Sequence, residues 1–204
     1  EGLPARAGLV RRNADVPAVP GGVRSHAGAV IAAEPATLPP DELDLNTLWR
    51  HPALLLGEAC WGPLEQGLKP FVHVVGQHIY DGTVGGNRHL YRSAIVVPRQ
   101  DREDIDVVPD EGSAVSLPLA QMVGGRFAFN ATASRSGYLA IQRDLLAIGK
   151  GLNLFSVAIP TGSHFASVRL VATGKADLAA IDCRRWELAK RYEPHAAMLR
   201  VIGW

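Results

Sequence analysis

The feature that most constrains the fold is a strand–turn–helix unit that occurs twice in succession in the second half of the chain. In the first unit, the apolar segment 126–130 leads through a turn rich in Ser and Thr to a helical pattern over 138–149. In the second, the apolar segment 154–160 leads through another hydroxyl-rich turn to a helical pattern over 165–174. Strands that alternate with helices of about ten residues are typical of βαβ units and a parallel sheet. The sequence therefore predicts an α/β fold.

Further strands are predicted on both sides of these units, because short uninterrupted apolar runs are typical of strands buried on both faces. These predicted strands are 54–60, 71–77, 91–98, 176–182 and 199–204. Helices are predicted at 41–50 and at 183–192, and the first forty residues are rich in Pro, Gly and Ala. The segment 101–110 carries five acidic residues and is interpreted as an exposed connection rather than a ligand site.

Composition limits the classes of function. The chain has 204 residues, of which 47% are apolar, enough for one large domain or two small lobes with their own cores. The net charge of +1 produces no overall field that attracts nucleic acid, so no nucleic-acid partner is expected and an anion site must be local. No run approaches the roughly 18 apolar residues of a membrane-spanning helix. Cys60 and Cys183 are interpreted as unpaired thiols, with a long-range disulfide as the alternative.

The turn in the first unit is a candidate anion site. A helix start leaves backbone N–H groups without intrahelical partners and carries partial positive charge, and an anion satisfies both needs. This turn offers the hydroxyls of Thr132, Ser134 and Ser136 together with the cation of Arg135. Gly137 follows them, and a glycine lets the backbone approach a ligand closely.

The turn in the second unit offers similar groups, the hydroxyl of Ser163 and the imidazole of His164. Ser and Thr are also the usual helix N-caps, so ordinary capping explains either turn alone equally well. In open α/β sheets ligands gather beyond the carboxyl ends of the strands, where both turns are predicted to lie. Two such turns at consecutive strand ends therefore favour a shared pocket rich in hydrogen-bond donors.

Motifs of catalysis and of cofactor binding are not found in the sequence. There is no dinucleotide or P-loop glycine motif, no GxSxG nucleophile elbow and no histidine pair with metal-ligand spacing. We therefore predict no catalytic residues, no metal site and no cofactor. Donors clustered at helix starts suit the holding of an anion better than the activation of a nucleophile.

Four segments of the chain resemble the phosphate, phosphite and phosphonate solute-binding proteins of ABC transporters. They are FAFNATASRSGYLA, TGSHFASVRLVATGKADLAAID, LWRHPALLLGEACWGP and YRSAIVV. The resemblance covers roughly residues 47–204, and it is the combination of the S-x-S-G turn with the G-S-H turn that makes it specific. It implies a small oxyanion ligand, an ABC permease as partner and a periplasmic or extracytoplasmic location.

The resemblance also implies the two-lobed fold of type 2 periplasmic binding proteins, with mostly parallel sheets flanked by helices and a hinge between the lobes. Residues 1–93 would form lobe one, 94–197 lobe two, and 198–204 the strand that returns to lobe one. The family normally has more of lobe one than this chain provides, so lobe one is expected to be incomplete.

Site residues follow from the resemblance one by one. Ser134 and Ser136 match the residues whose hydroxyls bind the phosphonate in this family. His164 matches the histidine that contacts the anion, and Gly137 matches the glycine that lets the oxyanion approach the backbone. The further positions implied are Tyr91 as an aromatic residue facing the cleft, Cys60 and Trp61 as the lobe-one contact, and Asp182 near the acid that meets an amino group in some members.

Alternatives of other classes remain open at this point. One is a ligand-sensing lobe pair of a signalling protein. Another is a small phosphoester hydrolase that uses His164 as its base. A third is a relative that has lost its ligand, because Cys60, Trp61 and Arg184 depart from the family's usual residues.

Overall fold

The structure is a computed structural model that describes part of the chain in detail. The described residues are 3–4, 7–11, 23–24, 30–31, 45–52, 54–101, 105–110 and 117–204. Most of the Pro- and Gly-rich first forty residues, the start of the helix predicted at 41–50 and part of the acidic segment 101–110 lie outside them. No helix in the described part combines the length and the apolar character needed to cross a membrane.

The chain divides into two compact units, which differ from the expected lobes. The larger unit comprises Glu1–Ala5 and Ile79–Trp204, and the smaller comprises Arg6–His78. The boundary falls after His78 rather than near residue 93. The division into functional lobes therefore stays a prediction.

A five-stranded mixed sheet forms the centre of the larger unit, with the strand order β11-β10-β12-β9-β13. Its strands are β9 (Ser93–Pro98), β10 (Arg126–Phe129), β11 (Val157–Pro160), β12 (Leu178–Asp182) and β13 (Leu199–Gly203). Strand β10 runs parallel to both β11 and β12, whereas β9 runs antiparallel to both β12 and β13. The α/β class is confirmed, but the sheet is mixed because β9 is inserted in the opposite direction.

Helices cover both faces of this sheet, and alternate residues of β9, β10 and β12 contribute to different cores. The helices are α3 (Leu119–Met122), α4 (Ala140–Ala147), α5 (His164–Ala172) and α6 (Cys183–Tyr192), and a wide π-type turn at Arg135–Leu139 leads into α4. One core joins Ala179 and Ile181 to Val168 of α5 and Trp186 of α6. The other joins Leu178 of the same strand β12 to helix α4 on the opposite face.

Short elements complete the larger unit. They are β1 (Leu3–Pro4), β7 (Gly86–Asn87), β8 (Leu90–Tyr91) and two 3-10 turns at Leu152–Leu154 and Pro194–Met198. Strand β8 pairs antiparallel with both β1 and β7. The predicted helix 183–192 matches α6 at both ends, and the predicted strand 199–204 is β13. Because β13 pairs with β9, it belongs to the same sheet as the other strands of this unit.

The smaller unit contains a three-stranded antiparallel sheet with the order β5-β2-β6 and a separate pair of strands, β3 and β4. Its elements are β2 (Ala7–Arg11), β3 (Val23–Arg24), β4 (Val30–Ile31), α1 (Leu45–Arg50), β5 (Leu56–Ala59), α2 (Trp61–Pro63) and β6 (Val72–Gln77). A π-type turn at Leu64–Leu68 and a 3-10 turn at Lys69–Phe71 connect α2 to β6. Ala59, Leu64, Leu68 and Val72 form an apolar cluster in this unit.

Segments 54–60 and 71–77 are predicted to form buried strands, and the prediction that they are buried is wrong. Both segments contain strands, but Ala59 is the single buried residue of β5 and Val72 that of β6. Leu56 is 66% exposed and Val75 is 60% exposed. The physical reason is the small apolar cluster of this unit, which includes Ala59 of β5 and Val72 of β6 and no other residue of these two strands.

Candidate functional site

The candidate site lies at the edge of the five-stranded sheet where the parallel strands β10, β11 and β12 end. Because β10 and β11 are parallel neighbours, the turns that follow them emerge side by side. Ser136 from the first turn and His164 from the second are in contact, with Ser136 Oγ 3.0 Å from His164 Nε2. The two turns therefore meet, as the sequence predicted.

The first turn is organised around Ser134, the N-cap residue of the helix that starts at Arg135. Its backbone is extended, and its Oγ accepts a hydrogen bond from the N–H of Gly137 at 3.0 Å. Ser134 Oγ also lies 3.3 Å from Ser136 Oγ. Ser134 is 4% exposed and Ser136 is 1% exposed, so both hydroxyls are buried at the helix start. The capping serine thus takes one of the N–H groups that an anion would otherwise bind.

The second turn is held by Thr161 and Ser163. Ser163 Oγ caps α5 by accepting from the N–H of Ala166 at 3.0 Å. Thr161 Oγ1 points inward, where it contacts the carbonyl oxygen of Phe129 at 3.1 Å and Ser167 Oγ at 2.7 Å. These contacts fix the start of α5, and they place the imidazole of His164, itself 6% exposed, against the first turn.

Two residues that were not predicted support the first turn. Ser93, the first residue of β9, donates from its hydroxyl to the carbonyl oxygen of Ser136 at 2.8 Å. Asn130, which follows β10, accepts at its main-chain carbonyl from the N–H of Gly162 at 3.0 Å and so ties the first turn to the second. A Ser before an apolar strand carries no distinctive sequence signal. An Asn after a strand is a visible signal, although it is also an ordinary turn residue.

Asn130 also fills the space beside Gly137. A Cβ atom at position 137 would stand 1.9 Å from Asn130 Oδ1 and 3.3 Å from Ser134 Oγ. The side of Gly137 that lacks a side chain is therefore occupied by the carboxamide of Asn130 rather than open. A side chain at position 137 would therefore require the carboxamide of Asn130 to move.

Asp182 lies at the same sheet edge but is engaged in capping. It is the last residue of β12, is 1% exposed and pairs in register with Ser93. Its carboxylate accepts from the N–H of Arg185 at 3.0 Å and caps α6. The next residue, Cys183, is a buried free thiol whose pKa is raised, first by burial and then by the nearby charge of Asp182.

The remaining predicted residues are placed differently. Thr132 is exposed and Arg135 is half-buried in the first turn. Tyr91 is 1% exposed and stacks on Tyr80 with ring centroids 5.0 Å apart, so its ring belongs to the core of the larger unit.

Cys60 and Trp61 belong to the smaller unit. Cys60 is half-buried at the start of α2, and Trp61 packs against the apolar cluster of this unit. Among the described residues, no group of three His, Cys, Asp or Glu side chains is arranged to hold a metal ion.

The buried cluster of Ser134, Ser136 and His164 can offer hydrogen bonds to an oxyanion. Each hydroxyl rotates to donate or accept, and the imidazole donates from whichever nitrogen carries a proton. At present Ser136 and His164 satisfy each other. A ligand oxygen would replace that contact with charge-assisted hydrogen bonds, which are roughly twice as strong as those between neutral groups.

A family model described as the periplasmic substrate-binding protein of phosphonate ABC transporters matches residues 64–203. No curated protein sequence is significantly similar to the chain.

Several solved structures are similar to part of the chain. PhnD1 from Prochlorococcus marinus, in complex with methylphosphonate, is 27% identical over 53% of this chain and 39% of its own, with a TM-score of 0.43. A binding protein component of an ABC phosphonate transporter from Pseudomonas aeruginosa is 21% identical over 55% of this chain and 34% of its own, with a TM-score of 0.41. A Xanthomonas citri protein bound to chloride ion is 18% identical over 54% and 39%, with a TM-score of 0.40. The chain thus spans 34% to 39% of the length of these proteins.

Proposed function

Because this chain belongs to the family of periplasmic substrate-binding proteins of phosphonate ABC transporters, we propose that it holds a phosphate- or phosphonate-like oxyanion for import. The ligand would be bound at the paired helix starts near Ser134 and His164. The protein would act by binding and release, without chemical change of the ligand.

The observation that carries this proposal is the contact between Ser136 Oγ and His164 Nε2 at 3.0 Å. These two residues are separated by 28 positions and come from different helix starts. Each helix start concentrates N–H groups and partial positive charge, and two adjacent starts add their effects. A small tetrahedral anion is the ligand class that uses several such donors at once.

Binding of an anion requires Ser136 and His164 to exchange the hydrogen bond between them for hydrogen bonds to the ligand. The hydroxyl of Ser136 turns from His164 to the anion, while the bond from Ser93 Oγ to the Ser136 carbonyl holds the backbone in place. The net contribution of a hydrogen bond between neutral groups is about 0.5–1.5 kcal/mol, against about 1.5–3 kcal/mol for one to a charged group. The exchange therefore favours the bound state, and a handful of such bonds is enough for micromolar affinity.

The remaining roles are proposals that rest on family membership. Thr132, Arg135 and Ser163 would line the anion site, and Asp182 would lie near an amino substituent of the ligand. Cys60 and Trp61 would contact the group attached to phosphorus, whereas the ring of Tyr91 lies in the core of the larger unit.

The partner and the location are proposals of the same kind. The partner would be an ABC permease in the membrane. The protein would work in the periplasm, where the family's members act.

Titration calorimetry of the chain with phosphate, phosphite, methylphosphonate and sulfate tests the proposal. Replacing Ser136 with alanine removes one bond to the charged ligand, so we expect affinity to fall about tenfold to hundredfold. The matched control is Ser156→Ala, at an exposed serine ahead of β11, which should bind like the unmodified chain. Absence of binding heat with every ion, or equal affinity in the Ser136→Ala variant, would contradict the proposal.

A further inference from the structure

Asn130 carries a buried acceptor that the described residues leave without a donor. Its side-chain Oδ1 has almost no solvent contact and no hydrogen-bond partner among those residues. A buried carbonyl oxygen in this condition is destabilising, and native structures contain few of them. A hydrogen-bond donor is therefore expected beside Asn130 Oδ1, and a ligand can supply it.

The position of this oxygen relates it to the first turn. In a helix the Cα–Cβ bond tilts toward the N-terminus, so the place where a Gly137 side chain would begin lies toward the helix start. Asn130 Oδ1 lies 1.9 Å from that place, and Ser134 Oγ lies 3.3 Å from it. The acceptor thus lies close to the capping hydroxyl of Ser134 at the helix start.

The main chain of Asn130 holds it there. Its carbonyl accepts from Gly162 in the second turn, and the preceding residue, Phe129, accepts from the N–H of Thr161 at 2.8 Å. Asn130 is therefore fixed between the two turns that form the proposed anion site. The main chain that carries its carboxamide is thus held at the border of that site.

We infer that Asn130 is a specificity-determining residue, which selects an oxyanion carrying a proton over one that has none. The inference rests on the proposed function and narrows its ligand class to phosphate and phosphonate ions that carry one proton on oxygen. The ligand's P–OH group donates to Asn130 Oδ1, while its unprotonated oxygens accept from Ser136, His164 and the helix N–H groups.

Sulfate is the ion that this arrangement rejects. It has the same tetrahedral shape, but at neutral pH it carries acceptors alone, so one of its oxygens would face Asn130 Oδ1 without a proton between them. A site built to pair with a ligand hydroxyl leaves its polar group unpaired when that hydroxyl is missing. From the cost of an unpaired buried acceptor we expect phosphate to bind about tenfold to hundredfold more tightly than sulfate.

The test compares the two ions by titration calorimetry at pH 7 in the unmodified chain and in Asn130→Leu. Leucine has a similar size and no acceptor, so the ratio of sulfate to phosphate dissociation constants should fall to within about threefold of unity. The matched control is Asn153→Leu, at an exposed asparagine, which should keep the original ratio. Circular dichroism and thermal melting establish that each variant is folded.

Asn130→Asp provides a second variant if Asn130→Leu fails to fold. Aspartate keeps the shape and presents acceptors alone, so it should retain or widen the preference for phosphate while weakening both ions. Nearly equal binding of sulfate and phosphate by the unmodified chain overturns this inference and leaves the proposed function standing. An unchanged ratio in Asn130→Leu, or a lost preference in Asn130→Asp, also overturns it. Absence of binding with every ion overturns the proposed function, and this inference with it.

Discussion

Replacing Gly85 with alanine tests how the larger unit packs around Trp204. Gly85 has a φ of +84°, in the left-handed region that favours glycine. A Cβ atom there would stand 2.5 Å from Trp204 Cζ3 and 2.7 Å from its Cε3. The indole is held at its other end, where Nε1 donates to the carbonyl oxygen of Val107 at 2.6 Å, and Trp204 is 7% exposed. The ring therefore has little room to move aside.

Two costs add in this variant. A left-handed backbone costs a residue with a side chain about 1–2 kcal/mol relative to glycine. Overpacking of a close-packed core costs about 1–3 kcal/mol more. We expect Gly85→Ala to lower the free energy of unfolding by about 2–5 kcal/mol, a large part of the 5–15 kcal/mol typical of a domain.

Gly82 is a matched control for the backbone cost. It has a φ of +81°, and a Cβ atom placed on it would meet nothing within 4 Å. Gly82→Ala should therefore cost the backbone contribution alone, about 1–2 kcal/mol. Urea denaturation followed by tryptophan fluorescence and by circular dichroism measures both variants. Equal losses of stability in the two variants would refute the packing of Trp204 against Gly85.

Two further predictions concern Ser163 and Glu193. Ser163→Ala removes the N-cap of α5 and should cost about 1 kcal/mol in urea denaturation, whereas Ser163→Asp, which can still accept from the same N–H, should cost less than half as much. Burial opposes ionisation of Glu193, but hydrogen bonds from His195 and Arg169 outweigh it, so its pKa is lowered. A lowered pKa adds stability that is present above the ordinary glutamate value of about 4.3 and is lost as pH falls through the folded pKa. Unfolding midpoints measured from pH 7 to pH 3 should fall more for the unmodified chain than for Glu193→Gln, and parallel curves would contradict this.

Most elements of the larger unit could be predicted from the sequence because their signals are local. The helix α6 was predicted at its observed ends, since Asp182 is a good N-cap and the amphipathic pattern runs without interruption to Tyr192. The turns before α4 and α5 were predicted from their hydroxyl residues for the same reason. Capping depends on three or four consecutive residues, so it is visible without knowledge of the fold.

Strand burial and strand direction could not be predicted in the same way. The run that became β6 is as apolar as the run that became β9, yet β6 is exposed and β9 is buried. The difference is that the residues of β9 pack into both cores of the larger unit, whereas Val72 is the one residue of β6 that joins an apolar cluster. An apolar sequence indicates that a strand can be buried. Whether it is buried depends on the elements that pack against it in the folded protein.

The direction of β9 has a consequence for the candidate site. If β9 were parallel to β12, its last residue rather than its first would lie at the edge of the sheet where the first and second turns emerge. Because it is antiparallel, Ser93 pairs with Asp182 at that edge and reaches the Ser136 carbonyl across 43 positions of sequence. The donors of the site are set by local helix starts, whereas the residues that position them, Ser93 and Asn130, are set by strand order and direction. A sequence therefore shows the donors at the two helix starts more readily than it shows the residues that position them.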